Sequence, residues 1–166
     1  MFDKLDAYNL VANLVPGAAL SYALHYSGYP IPSPHELGAF LLVAFVVGVT
    51  ANRLGSLCLD PLLRSVSFLE KKDYDAFVTA EEKDPKLETL VANAGLYRTF
   101  FTSGFLYFFA ISIDCLVPDF PKKDSILSIL AIIAGMIVFL YAFRKEDGYI
   151  KSRLRAKATA AGRQSI

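Results

Sequence analysis

The sequence predicts an all-α fold: a four-helix transmembrane protein with a short cytoplasmic helical hairpin between spans two and three and a basic C-terminal tail. Three observations predict it. Hydrophobic residues make up 54% of the 166 residues against 20% charged, with mean hydropathy +0.40. The apolar residues are gathered into four stretches. No segment shows the period-two alternation of a half-buried strand. The same composition excludes a disordered chain, which would be apolar-poor and charge-rich. Two cysteines exclude a disulfide scaffold, and a net charge of +1 excludes a nucleic-acid binder that acts through bulk charge.

Span one, residues 8–26, is long enough to cross the roughly 20-residue hydrocarbon. It does not read as a cleaved signal peptide. Asp3 and Asp6 outweigh Lys4 ahead of it, and Asn9, Asn13, Pro16 and Gly17 lie inside it. Span two, residues 34–59, opens at Ser33-Pro34-His35-Glu36. This has the spacing of a capping box with proline at the first helical position, and it predicts a helix from Pro34. The span reaches full length only by running past Asn52 and Arg53, and Asp60-Pro61 reads as its break. The insert, residues 60–98, holds a helix-like run with Tyr74, Phe77 and Val78 on one side. A second run follows Asp84-Pro85, with Leu87, Leu90, Val91, Ala94 and Leu96 near one face. A hairpin leaning on the inner membrane surface or on a partner is expected. Span three, residues 99–117, stops at Pro118 and Pro121. Span four, residues 125–143, is capped by Asp124-Ser125. Between Ile126 and Phe143 it carries no charge and no polar residue except Ser128, where a soluble helix would show a polar stripe.

With four spans, fifteen of the seventeen Lys and Arg residues fall on the side of the termini and the insert, against Lys122 and Lys123 opposite. The positive-inside rule places both termini and residues 52–98 in the cytoplasm. Residues 144–166 form a tail with seven basic and two acidic residues. Lys151, Arg153, Arg155 and Lys157, together with Tyr74 and Phe77, are the candidate contacts for lipid or for a cytoplasmic protein partner.

Asn9, Asn13, Gly17, Ser21 and His25 recur every fourth residue and form one polar or small ridge on helix one. Such a ridge either packs against another helix or lines a water-filled path, and Pro16 would bend the helix beside it. Ala44 and Gly48, Ala51 and Gly55, and Ala131 and Gly135 are further small pairs suited to close helix contact, within a chain or in a homo-oligomer. Arg53 and Asp114 are the ionisable groups within the spans. Arg53 reads as snorkelling to the inner headgroups, and Asp114 could pair with His25 near the outer surface.

No catalytic chemistry is legible. G-x-S-x-G, H-E-x-x-H, a P-loop and G-x-G-x-x-G are all missing from the sequence, and two distant histidines offer no metal spacing. Neither a cofactor nor an enzyme activity is expected. Cys58 and Cys115 fall at opposite leaflets and should not pair.

The segments Asp6-Ala7-Tyr8-Asn9-Leu10-Val11-Ala12-Asn13-Leu14-Val15-Pro16-Gly17 and Asn52-Arg53-Leu54-Gly55-Ser56-Leu57 resemble small polytopic bacterial membrane proteins of antiphage-defence operons, among them retron-type transmembrane effectors. The resemblance covers the first 60 residues and implies a membrane-acting effector held silent by a cytoplasmic partner. The leading expectation is therefore an oligomeric pore-forming or membrane-perturbing effector, with the ridge facing the shared axis. A non-conducting membrane anchor that recruits a soluble partner is the alternative. A small transporter subunit ranks third, because no deep acidic residue marks a substrate site.

Overall fold

The computed structural model describes residues 2–69, 85–114 and 126–164, and these are helical with no strand among them. Helix α1 spans Phe2–Tyr26 and α2 spans Leu37–Leu54. One π-helical turn, Gly55–Leu59, joins α2 to α3, Asp60–Ser65, without a break. Helix α4 spans Pro85–Asp114 and α5 spans Ile126–Gln164. Helix α1 packs against α2 and α4, and α5 packs against α4, so two helical hairpins meet through α1 and α4. The stretches Leu37–Ser65 and Thr89–Ile113 are each long and apolar enough to cross a membrane.

Three boundaries differ from the sequence expectation or refine it. Helix α2 starts at Leu37, three residues after the expected Pro34. Ser33 does not cap it: its Oγ accepts the His35 amide (3.3 Å) and its carbonyl accepts the Glu36 amide (2.9 Å), closing a local turn. Glu36, at φ −88° and ψ 64°, then breaks the register before the helix begins. At the other end Asp60-Pro61 does not stop the helix. The Asp60 amide reaches back five residues to the Gly55 carbonyl, and the widened turn takes up the proline, which has no amide proton and crowds the carbonyl four residues earlier. The helix ends instead at Ser65 in a Schellman motif. The Phe68 amide bonds to Leu63 (2.9 Å) and the Ser67 amide to Arg64 (3.2 Å), with Ser67 in the left-handed region at φ 59°. Helix α4 does begin at Pro85, where Asp84-Pro85 placed a start. Helix α1 runs unbroken through Pro16. Tyr74 and Phe77 lie outside the described residues, as does the expected first arm of the hairpin.

Helix crossings are made by small residues. A Cβ built on Gly17 would collide with the Ala44 carbonyl and lie 2.6 Å from the Gly48 nitrogen. One built on Gly48 would collide with the Asn13 carbonyl. The α1 and α2 backbones therefore touch, and only glycine fits at this crossing. Gly104 meets Met136 in the same way between α4 and α5 (2.8 Å from its Cβ position to Sδ). Phe100 stacks on Phe139 at 4.4 Å between the same two helices.

Burial is mixed. Ser21, Ser27, Asp60, Thr99, Thr102, Ser103 and Asp147 are buried beside Leu20, Phe40, Leu87 and Phe143, whereas Leu42 (67% exposed), Leu57 (71%), Phe109 (57%) and Val138 (64%) face outward. The one cluster of buried apolar residues, among those described, joins Leu69, Ala94 and Phe143, with Leu63, Phe68, Tyr97 and Ile150 against it. It ties the end of α3 to α4 and α5.

Candidate functional site: a polar string across the helix bundle

The middle of the α1 ridge, Asn13 to Ser21, is turned toward the bundle. Asn13 Oδ1 accepts Asn52 Nδ2 at 2.8 Å, Gly17 abuts α2, and Ser21 is fully buried with no hydrogen-bond partner for its hydroxyl. His25 is half-buried, its Nδ1 2.9 Å from the Ile31 carbonyl, which requires the Nδ1–H tautomer as donor. Asn9 lies in α1 and Asp114 ends α4, with the side chains of both outside the described set. Near the other end of α1, Ser27 and the Tyr107 hydroxyl of α4 share a buried 2.9 Å hydrogen bond.

From Asn13 the polar groups continue across the bundle. Asn52 Oδ1 accepts Arg98 Nη2 of α4 at 3.0 Å, so this one amide bridges α1 and α4 from its place on α2. The Arg98 stem packs on Gly55, whose built Cβ would come 3.2 Å from Arg98 Cγ and 2.6 Å from Thr102 Oγ1. The π turn thus begins where the helix must be thin enough to admit an arginine. Arg98 Nε is buried with no hydrogen-bond partner. Asp60, one turn further along, supplies the attractive negative charge near it. Asp60 Oδ1 in turn accepts Arg64 Nε (3.0 Å), Arg64 Nη2 donates to Asp147 Oδ1 of α5 (3.0 Å), and Lys151 Nζ lies 2.8 Å from Asp147 Oδ2. These side chains are only about a tenth exposed, so the pairs lie in a medium where leaving either partner alone is costly.

Asn52, Asp60, Arg64, Arg98 and Asp147 were not singled out from the sequence as site residues. A signal was present: Asn52 continues the row Ala44–Gly48 by four residues, and Arg98 sits between Ala94 and Thr102 at the same spacing. Arg53, which was singled out, is exposed, beside the string and not part of it.

Beyond the string, α5 displays the basic candidates. Lys151 and Arg155 border a cavity of about 490 Å³ together with Ser67, Phe68 and Arg144. Arg153 borders a different one of about 350 Å³ with Lys86 and Tyr149. Lys157 lies in α5, its side chain outside the described set. An apolar cleft of about 200 Å³, lined by Ala19, Ala23, Ser103, Gly104, Gly135 and Met136, opens between α1, α4 and α5. Cys58 is exposed and carries a free thiol. Among the described residues no group of three His, Cys, Asp or Glu side chains could hold a metal ion. No family model, curated protein or solved structure matches the chain.

Proposed function

We propose that the protein is a four-span inner-membrane anchor with cytoplasmic termini, one that conducts nothing and presents its inner face to a soluble partner. The observation that carries this reading is the Gly17–Gly48 crossing. A conduit along the Asn9–His25 ridge would need that ridge to face water, yet its middle is closed by the α2 backbone and Asn13 is satisfied by Asn52. The order of the expected functions is thereby reversed, with the anchor ahead of the pore-forming effector. Membrane residence is supported by the many large apolar side chains that face outward along the long apolar helices, a surface suited to lipid. Span four is supported by the uncharged stretch from Ile126 to Phe143. The docking role is supported by α5. Its 39 residues extend about 58 Å at 1.5 Å each, roughly twice the hydrocarbon thickness, so a basic helical rod stands clear of the bilayer.

The test has two parts. Full induction in cells carrying a potential-sensitive dye should leave the membrane potential intact, and depolarisation that Asn13→Leu abolishes would restore the conduit. A photo-crosslinking residue at position 153 or 157 should give a discrete adduct with a soluble protein. Failure to form one at either position would remove the anchor's purpose.

A further inference from the structure

We propose that the cleft between α1, α4 and α5 is a binding site for a small membrane-soluble carbonyl compound, a flat ring bearing one C=O that accepts a hydrogen bond from Ser103. The ligand's route from lipid rests on the membrane reading above; the cleft itself does not. Helices α1 and α5 both pack on α4 and, among the described residues, do not touch each other, so a groove is left over one face of α4. Phe100, Ser103, Gly104 and Tyr107 form its floor, at the three- and four-residue spacing of one helical face. The α5 wall leaves room: a Cβ built on Gly135 meets nothing within 4 Å, whereas one built on Gly104 in the floor runs into Met136.

Ser103 supplies the polar half of the recognition. It is 5% exposed, and its hydroxyl has no hydrogen-bond partner. Other hydroxyls on α4 are not left unused: Thr99, Thr102 and Ser112 each donate to the carbonyl four residues back, at 2.7–2.8 Å. A buried bond left unmade costs free energy, and a ligand removes that cost by accepting from Ser103 once the hydroxyl turns about its Cα–Cβ bond into the cleft. A carbonyl takes the Ser103 proton and brings no donor of its own to satisfy. The other hydroxyl of the cleft, on Tyr107, is already shared with Ser27. No charged residue lines the cleft, which excludes an ionic ligand. Size and shape set the rest. An apolar cavity of about 150 Å³ holds benzene, so the cleft's volume of about 200 Å³ admits a ring with a carbonyl and a methyl group. Phe100 and Phe139, stacked at 4.4 Å between ring centres, make the lining aromatic together with Tyr107, which favours a flat ring over a branched chain. The floor falls within span three and Ile132 to Phe139 within span four, so the ligand enters from lipid and not from water.

The experiment uses the purified full chain in a non-ionic detergent with acetophenone or ethylbenzene, which share a shape and differ by an oxygen in place of two hydrogens. Each is dosed to the same concentration within the micelles. Acetophenone should raise the melting temperature and bind about fivefold more tightly than ethylbenzene, the margin of one hydrogen bond. Ser103→Ala deletes an unused group, so it should fold as well as the native chain, and the two probes should then bind alike. Gly135→Leu fills the cleft and should abolish binding of both. Should it fold poorly, Ala23→Leu fills the cleft from α1 and must do the same. Equal affinities in the native chain, no binding by either probe, a preference for acetophenone that survives Ser103→Ala, or binding undiminished by the filling variants would each overturn the site. A chain that stays monodisperse without detergent would overturn the membrane reading and with it the route from lipid, whereas the probe comparisons judge the cleft alone.

Discussion

Ser67 shows how a single residue carries a structural demand. It holds φ 59° to close the end of α3, a conformation that costs a non-glycine residue about 1–2 kcal/mol. Ser67→Gly should relieve that, offset by about 0.5–1 kcal/mol of extra freedom in the unfolded chain. A net gain of about 0.5–1 kcal/mol is expected in equilibrium unfolding in mixed micelles. Ser67→Val should lose more than 1 kcal/mol, since a branched side chain is worst suited to this region. Asn52 presents the opposite case, a residue whose value lies in two partners. Asn52→Leu leaves Arg98 and Asn13 without their shared amide, at a cost of about 1–3 kcal/mol. Adding Arg98→Met removes the stranded guanidinium, so the double variant should lose less than the two single losses combined, by 0.5 kcal/mol or more. Additive losses would mean that the two residues act independently. Neither role can be read from local sequence. A left-handed serine looks like any serine, and the partners of Asn52 lie 39 and 46 residues away.

At the scale of elements, close approach is what holds the α1–α2 hairpin. Gly48→Ala places a methyl group against the Asn13 backbone, which cannot give way as a flexible side chain could. A loss of about 1–3 kcal/mol is expected by the same unfolding measurement. Gly38→Ala and Gly135→Ala, where nothing lies within 4 Å, should be neutral or slightly stabilising through helix propensity. A loss at all three positions would indicate that glycine matters here for flexibility and not for contact. The spacing of Ala44 and Gly48 made a close crossing legible in the sequence, and Asp84-Pro85 made the start of α4 legible, because both are local signals. The start of α2 was misjudged because a capping-box pattern describes which bonds are possible. Ser33 spends its oxygen on a turn instead. The π turn was invisible for a related reason: proline after Asp60 marks a helix start equally well inside a continuing rod and after a break.

For the whole molecule, the balance of surfaces decides the environment. Hydropathy made the long apolar helices legible, since it depends on composition along each stretch and not on which helices meet. The polar string was not legible, because it is assembled from α1 to α5, five elements that only the tertiary fold brings together. The chain should resist extraction from membranes by carbonate at high pH and should aggregate when detergent is removed. Release into the aqueous fraction would contradict the proposed membrane setting of the exposed Leu42, Phe109 and Val138. If the π turn lies on the proposed cytoplasmic side, labelling of the exposed Cys58 should require a membrane-permeant maleimide in intact cells and proceed with an impermeant one in inverted vesicles.

The continuity of α5 has a mechanical consequence. Because Ile126–Gln164 is one unbroken helix, in the proposed membrane setting it would act as a lever about the salt-bridged collar at Asp147. The arm beyond the collar, about 17 residues, is near 26 Å long. A tilt of the embedded half by ten degrees would swing the far tip by about 4–5 Å, a displacement comparable to one helical turn. Bilayer thickness, which sets such tilts, would then be felt by whatever the tip holds.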